Sequence, residues 1–322
     1  MEKWLLRRLF ENNKDQPVPR FAFQSTVNWM ASLSILSKSS LFSNENLNIH
    51  YQSVRRRKLN KDADTWTYEN ILMALHNIAA LNEMSSDYVN KVAIVRSAIV
   101  AWYYAVYYSA SGMVAAASGS KQETHAATAK VWQNDIVNKN LAISPFGLRL
   151  NTLVQKDVKS EIASLRNGNN FDLVNSPQTE SDAWGAVYGY LSGTADYEKW
   201  RIEERVRDSK EFKKLNVNNF RTKAARELRD TKLKSGIVNF LVQAFRYRGK
   251  ANYRDSIYLS YGESRSDIIS IFVKNLGVVA TTFSQMACFY ISRRVDKQSW
   301  NDFSQDLQNN LTIKIDSNIF KI

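Results

Sequence analysis

The chain reads as a mostly helical globular protein, and three observations point that way. It has only four prolines in 322 residues, with 44% hydrophobic and 23% charged side chains, a balance that excludes a disordered or fibrous chain. Apolar residues recur at helical spacing, most clearly in TWTYENILMALHNIAALNEM. Two uncharged runs, 24 residues from Ser97 to Ser120 and 18 from Asn275 to Ser292, are long enough for helices enclosed on all sides. Both runs are rich in hydroxyl and amide groups, so they are expected in a bundle core and not in a membrane.

Residues 1–85 read as an N-terminal extension or small domain. After the loop PVPRFAF, the stretch STVNWMASLSILSKSSLF predicts a helix capped by Ser25 or Thr26. NIHYQSVRRRKLNK is a short alternating piece ending in Arg55, Arg56, Arg57 and Lys58, and Asp62 and Asp64 just beyond it favour a solvated turn. Thr67 is expected to cap the next helix, with Ile71, Leu72, Leu75, Ile78 and Leu81 on its apolar side and His76 as a core or rim histidine.

Residues 86–322 form the expected main domain, with an insertion at about 140–220. Its central helix runs from Ser86, a capping residue, to Ser118, and stops near Gly119. A third helix follows SGSKQET and includes Val131 and Trp132. In the insertion, SPFG, NGNN and NSPQTESD signal turns, and Gly185, Gly189 and Gly193 would let a helix approach a neighbour closely. DYEKWRIEERVRDSKEFKKL and NNFRTKAARELRDTKLKSGIVNFLVQAFRYRGK then read as two helices, and Ser266 opens an apolar helix to about Val295. The ending LTIKIDSNIFKI alternates like a lone strand or a tail.

Charge is the strongest functional signal. The net charge is +13, and residues 201–250 hold fifteen Lys or Arg against six Asp or Glu, a local excess of nine that predicts a polyanionic partner. Lys223, Arg226, Arg229 and Lys232 recur every three residues as a basic ribbon, and Arg246, Arg248, Lys250 and Arg254 follow in the tyrosine-rich FRYRGKANYRDSIYLSYG. With three histidines, His50, His76 and His125, and the single Cys288, no metal site of ordinary spacing and no cofactor motif is present in the sequence. The lone cysteine and the absence of a signal-peptide core in MEKWLLRRLFENNKDQP lead to a cytoplasmic expectation.

The segment Arg96 to Trp132 resembles the signature helix pair of HEPN domains, the higher eukaryotes and prokaryotes nucleotide-binding family. Tyr103, Tyr104, Ala105, Tyr107, Ala110, Gly119, Thr124 and His125 fall in that family's order, and Arg248, Lys250, Ala251 and Tyr253 match its last element. The resemblance covers about Ser86–Asp135 and Phe240–Arg294. It implies an antiparallel bundle of four or more helices, commonly dimeric, and a setting in prokaryotic defence or toxin–antitoxin systems.

Active members resemble one another in an Arg and a His separated by four to six intervening residues. Here no histidine stands five to seven residues after any arginine, and Tyr253 occupies the place of the base. A tyrosine of pKa about 10 is a poor base at neutral pH. The expected function is therefore non-catalytic binding of nucleic acid, RNA by the resemblance, through the ribbon and the Arg246–Arg254 cluster. The alternatives are an atypical metal-independent ribonuclease using Arg248 and Tyr253, and an adaptor for a protein partner.

Overall fold

Helices begin where a side chain accepts the amides that a first turn leaves free, and the chain supplies such side chains repeatedly. The protein is described by a computed structural model covering residues 19–87, 89–252, 257, 259, 261 and 265–313, together with Trp4, Leu5 and Arg8. Among these residues the fold is mainly α, with twelve helices and a two-stranded antiparallel sheet pairing β1 (Arg149–Leu150) with β2 (Val238–Asn239).

The helices are α1 (Pro19–Ser37), α2 (Asn44–Tyr51), α3 (Lys61–Ser85), α4 (Lys91–Ser118), α5 (His125–Asp135), α6 (Gln155–Arg166), α7 (Glu180–Asp208), α8 (Lys210–Lys213), α9 (Lys223–Lys234), α10 (Phe240–Asn252), α11 (Ser266–Arg294) and α12 (Lys297–Asn310). Asn60 caps α3, Asn90 caps α4, Thr124 caps α5, and Thr179 with Asp182 forms a capping box on α7. Gly119, at φ 71°, ends α4 in the left-handed conformation that glycine adopts without a Cβ penalty.

Helices α4 and α11 pack against each other at the centre; α3, α10 and α5 also lie on α4, and α1, α2, α3 and α12 on α11. This explains the uncharged runs: α4 buries Trp102, Tyr103, Met113 and several alanines, and α11 buries Phe272, Phe283, Met286, Cys288 and Phe289. Ser109 and Ser284 meet there at 2.7 Å, each satisfying the other's hydroxyl. By length and composition α11 could cross a membrane, yet half of its most apolar window is buried within the protein.

The core is continuous across the expected boundary at residue 85, because α1 packs on α7 and α11, and α3 makes its most extensive contact with α4. A small second cluster, Val206, Phe212 and Ala225, lies where α7, α8 and α9 meet.

Several local expectations change. Thr67 lies within α3, its hydroxyl donating to the Ala63 carbonyl, because Asn60 is the better-placed cap. Ser86 caps the end of α3 instead of the start of α4. The residues Asn48 to Tyr51 are helical, and α7 runs unbroken through Ala195.

The arginine run Arg55–Arg57 is only in part the expected solvated turn: Arg55 and Arg56 are exposed, yet the run is tied to two helix ends. Arg56 Nη1 donates to the carbonyls of Ser292 (2.8 Å) and Val295 (2.7 Å), and Arg57 Nε to that of Ala116 (3.0 Å). Arg294 answers by donating to Ala117 (2.9 Å) and Arg55 (2.8 Å). The cations thus satisfy the last carbonyls of α4 and α11, where a helix carries partial negative charge.

The expected helix from Asn218 to Lys250 is broken. Leu153 donates its amide to the Leu233 carbonyl at 2.9 Å, and Gly236 lies so close to Leu153 that a Cβ there would sit 2.6 Å from its Cδ1. Val238–Asn239 then pairs with Arg149–Leu150. The buried Asn239 side chain donates to the Ala129 carbonyl (2.8 Å) and Gln133 Oε1 (3.0 Å) while accepting the Val242 amide (3.1 Å), so the start of α10 is pinned to α5. Residues beyond 313, including most of the expected C-terminal strand or tail, lie outside the described residues.

Candidate nucleic-acid interface

Tyr247 decides where the cations of α10 go. It is fully buried, 4.7 Å from the Trp29 ring and 5.3 Å from that of Trp102, and its hydroxyl donates to the Thr26 carbonyl. Each helical step turns about 100°, so with Tyr247 facing inward, Arg246 and Arg248 emerge on opposite flanks. Arg246 lies over Tyr197 (4.8 Å) and Tyr190 (5.6 Å) of α7 and donates to the Thr194 hydroxyl at 3.0 Å. Arg248 lies over Tyr103 (5.0 Å), Phe245 (5.2 Å) and Tyr104 (5.7 Å), and its Nη1 donates to the Tyr104 hydroxyl at 3.1 Å. Among the described residues its Nε–H has no hydrogen-bond partner.

His125 enters the same cluster from α5. Thr124 accepts the Ala127 amide, which makes His125 the first helical residue. Its ring lies 4.5 Å from Tyr107 and 5.3 Å from Phe245, and its Nδ1 is 2.7 Å from the Tyr103 hydroxyl. At the far end of α10, Arg96 Nε donates to the Ala251 carbonyl at 2.7 Å and ties that turn to α4.

Electrostatics sets the charge states. Burial lowers the His125 pKa, and the Arg248 cation lowers it further, so the imidazole is neutral at pH 7. Burial raises the Tyr103 hydroxyl well above its ordinary range, an effect that Arg248 only offsets, so Tyr103 keeps its proton. The Tyr103 hydroxyl and His125 Nδ1 lie 2.7 Å apart, and which of them donates follows the imidazole tautomer. When Tyr103 donates, the imidazole carries its own proton on Nε2 and presents a donor there. Arg248 and His125 together, at the positive end of α5, suit an anion.

A pH dependence follows. A histidine whose native pKa is lowered takes up less proton in the folded than in the unfolded chain below the ordinary value of 6.5, so stability is lost as pH falls through that value. His50, also lowered by burial, acts in the same direction. Urea midpoints measured between pH 7.5 and 5.5 are expected to fall with acidification, and His125→Gln to flatten the slope partly. An unchanged slope in that variant would contradict the placement of His125.

The other basic residues fall elsewhere. Residues three apart on a helix are offset by about 60°, so Lys223, Arg226, Arg229 and Lys232 wind about halfway around α9 instead of lining one side. Arg229 pairs with Asp230 (2.8 Å) and approaches Glu203 (3.9 Å), lying over Phe220. Lys223 is exposed 3.9 Å from Glu227, Arg226 is exposed, and Lys232 lines a cleft of about 800 Å³ with Lys130, Arg205, Glu198 and Glu211. The side chain of Lys250, and Tyr253 and Arg254 altogether, lie outside the described residues. Among those residues no three metal-ligating side chains converge.

Comparison with known proteins returns no match to any family model, curated protein or solved structure. The cluster itself combines Arg248 with His125, Tyr103 and Tyr104, residues 123 or more positions earlier in the chain. Spacing along the chain from Arg248 does not reveal them, because they come from α4 and α5. Their trace in the sequence is the pair of four-residue repeats Tyr103/Tyr107 and Tyr104/Tyr108, which stack along α4 at 6.0 and 5.8 Å.

Proposed function

We propose that the chain binds single-stranded nucleic acid, RNA by its resemblance to HEPN domains, without cleaving it, through the surface formed by α4, α5 and α10. The observation that carries this reading is the Arg248 guanidinium held over Tyr103, Tyr104 and Phe245 beside the donor-bearing His125. A guanidinium fork and an Nε2–H grip phosphate, and the partly buried rings of Tyr104, Tyr107 and Tyr108 accept bases. Exposed cations on α9 add a field that steers a polyanion toward the molecule. The setting the resemblance implies is a prokaryotic defence or toxin–antitoxin system, and the lone cysteine makes the cytoplasm the expected compartment.

Fluorescence anisotropy with a labelled single-stranded RNA tests this. Wild-type affinity is expected to fall steeply with salt, and Arg248→Ala to weaken binding about tenfold and reduce the salt slope by about one. Arg248→Lys is expected to restore little, because an ammonium lacks the planar fork. Equal affinity for wild type and Arg248→Ala would overturn the reading.

The neutral imidazole of His125 favours a second reading, a metal-independent endoribonuclease in which His125 and Arg248 act together. Its Nδ1 is engaged by Tyr103, and a ring that accepts there and donates from Nε2 has no lone pair left for a base role. RNA cleavage by wild type that is lost in both His125→Ala and Arg248→Ala would establish the enzyme instead.

A further inference from the structure

We propose that the cleft next to the Arg248–His125 cluster is a nucleobase subsite, so that a nucleotide lies along α4 with its phosphate on Arg248 and its base beside Tyr107 and Tyr108. This rests on the phosphate-binding reading above and adds to it where the base sits and what it contacts.

The cleft, of about 130 Å³, lies between α3, α4, the loop after α4 and the first turns of α5. It adjoins the cluster directly. Tyr107, whose ring is 4.5 Å from that of His125, lines the cleft, as does Thr128, whose hydroxyl lies 3.3 Å from that of Tyr107. The two stacked tyrosine columns lead from one site to the other: Tyr103 and Tyr104 touch Arg248, and Tyr107 and Tyr108, one turn on, wall the cleft. Four residues of α-helix rise about 6 Å, so cation and cleft stand within the span of one nucleotide.

The lining suits a base better than a second phosphate or an apolar chain. Three aromatic rings, Trp66, Tyr107 and Tyr108, supply π-faces, each half-buried and so open on one side. The only charged lining residue is Lys121, and its ammonium already lies over the Trp66 ring at 5.3 Å. The 800 Å³ cleft under α9, in contrast, places Glu198 and Glu211 among its cations, which opposes an anionic ligand.

Two amides border the cleft. Asn70 Nδ2 donates to the Trp66 carbonyl at 2.7 Å, and Gln122 Nε2 donates to Ser120 Oγ. Each NH₂ group keeps a second N–H, and Asn70 Oδ1 and Gln122 Oε1 accept from no donor among the described residues, so each amide offers a base edge one donor and one acceptor. That pair of groups suits any base edge, uracil included.

The experiment compares three labelled octamers of equal charge by anisotropy: oligoadenylate, oligouridylate and an abasic ribose–phosphate chain. Wild type is expected to bind oligoadenylate about tenfold more tightly than the abasic chain, the fold-change of one stacked base, with oligouridylate between them. Tyr108→Ala is expected to collapse the gap between oligoadenylate and the abasic chain. Gln122→Ala, a loop substitution that leaves the helices intact, is expected to weaken oligoadenylate and oligouridylate alike while leaving the abasic chain unchanged. Equal wild-type affinity for all three octamers, or gaps that persist in both variants, overturns the base subsite while leaving the phosphate reading standing. If Arg248→Ala binds all three as tightly as wild type does, the phosphate reading itself falls.

Discussion

Arg57→Ala is expected to lower the free energy of unfolding by about 3–5 kcal/mol, the cost of leaving a buried charge without its partner. Arg57 and Asp64 form an ion pair whose side chains are only 11% and 5% exposed. The same guanidinium donates to the Ala116 carbonyl at the end of α4, and the Arg57 amide donates to the Arg294 carbonyl at 2.8 Å. Alanine would strand the Asp64 carboxylate, whose other oxygen already has no hydrogen-bond partner among the described residues. It would also free a carbonyl at the end of the central helix. Urea denaturation followed by circular dichroism measures the loss. The double replacement Arg57→Met with Asp64→Leu is expected to recover most of it, because apolar residues of similar volume replace buried ion pairs at little cost. A single variant within about 1 kcal/mol of wild type would show that the pair carries no such energy.

Trp29→Ala is the second large effect, about 3–5 kcal/mol, from lost apolar contact and the cavity left behind. Trp29 is fully buried and joins four helices: its ring stacks on Tyr190 of α7 at 4.0 Å and contacts Tyr247 and Phe240 of α10 at 4.7 and 6.2 Å and Trp102 of α4 at 5.9 Å. Trp29→Phe is expected to cost far less, because the indole N–H has no hydrogen-bond partner among the described residues and its removal loses no bond. Since Tyr247 sets the direction in which Arg248 leaves α10, Trp29→Ala is also expected to weaken RNA binding at temperatures where the variant remains folded. Equal unfolding midpoints for the alanine and phenylalanine variants would contradict the packing argument.

The helical class was legible because helix formation is a local matter. The caps Thr124 and Gly119 and the apolar faces of α3, α4 and α11 act within a few residues of themselves, so the spacing of residue types reveals them. The angular offset of the α9 cations was equally open to arithmetic: a period of three does not match 3.6 residues per turn, and the ribbon has to wind. The break before α10 was not legible. It depends on Leu153 and on the strand Arg149–Leu150, more than eighty residues upstream of Gly236 and its neighbours. Nor were the helix-end contacts of Arg56 and Arg57, whose acceptors lie in α4 and α11.

By itself, then, the amino-acid order determined that this chain is mainly helical, that two long runs within its helices carry no charge because they lie inside, and that cations concentrate in residues 201–250. Only tertiary packing decided which cations meet. Burying Tyr247 turned Arg246 toward α7 and Arg248 toward α4, and pinning Asn239 to α5 drew His125 alongside Arg248. The reason is physical: a backbone preference is set by near neighbours, whereas the company a side chain keeps depends on which helices bury their apolar faces against one another.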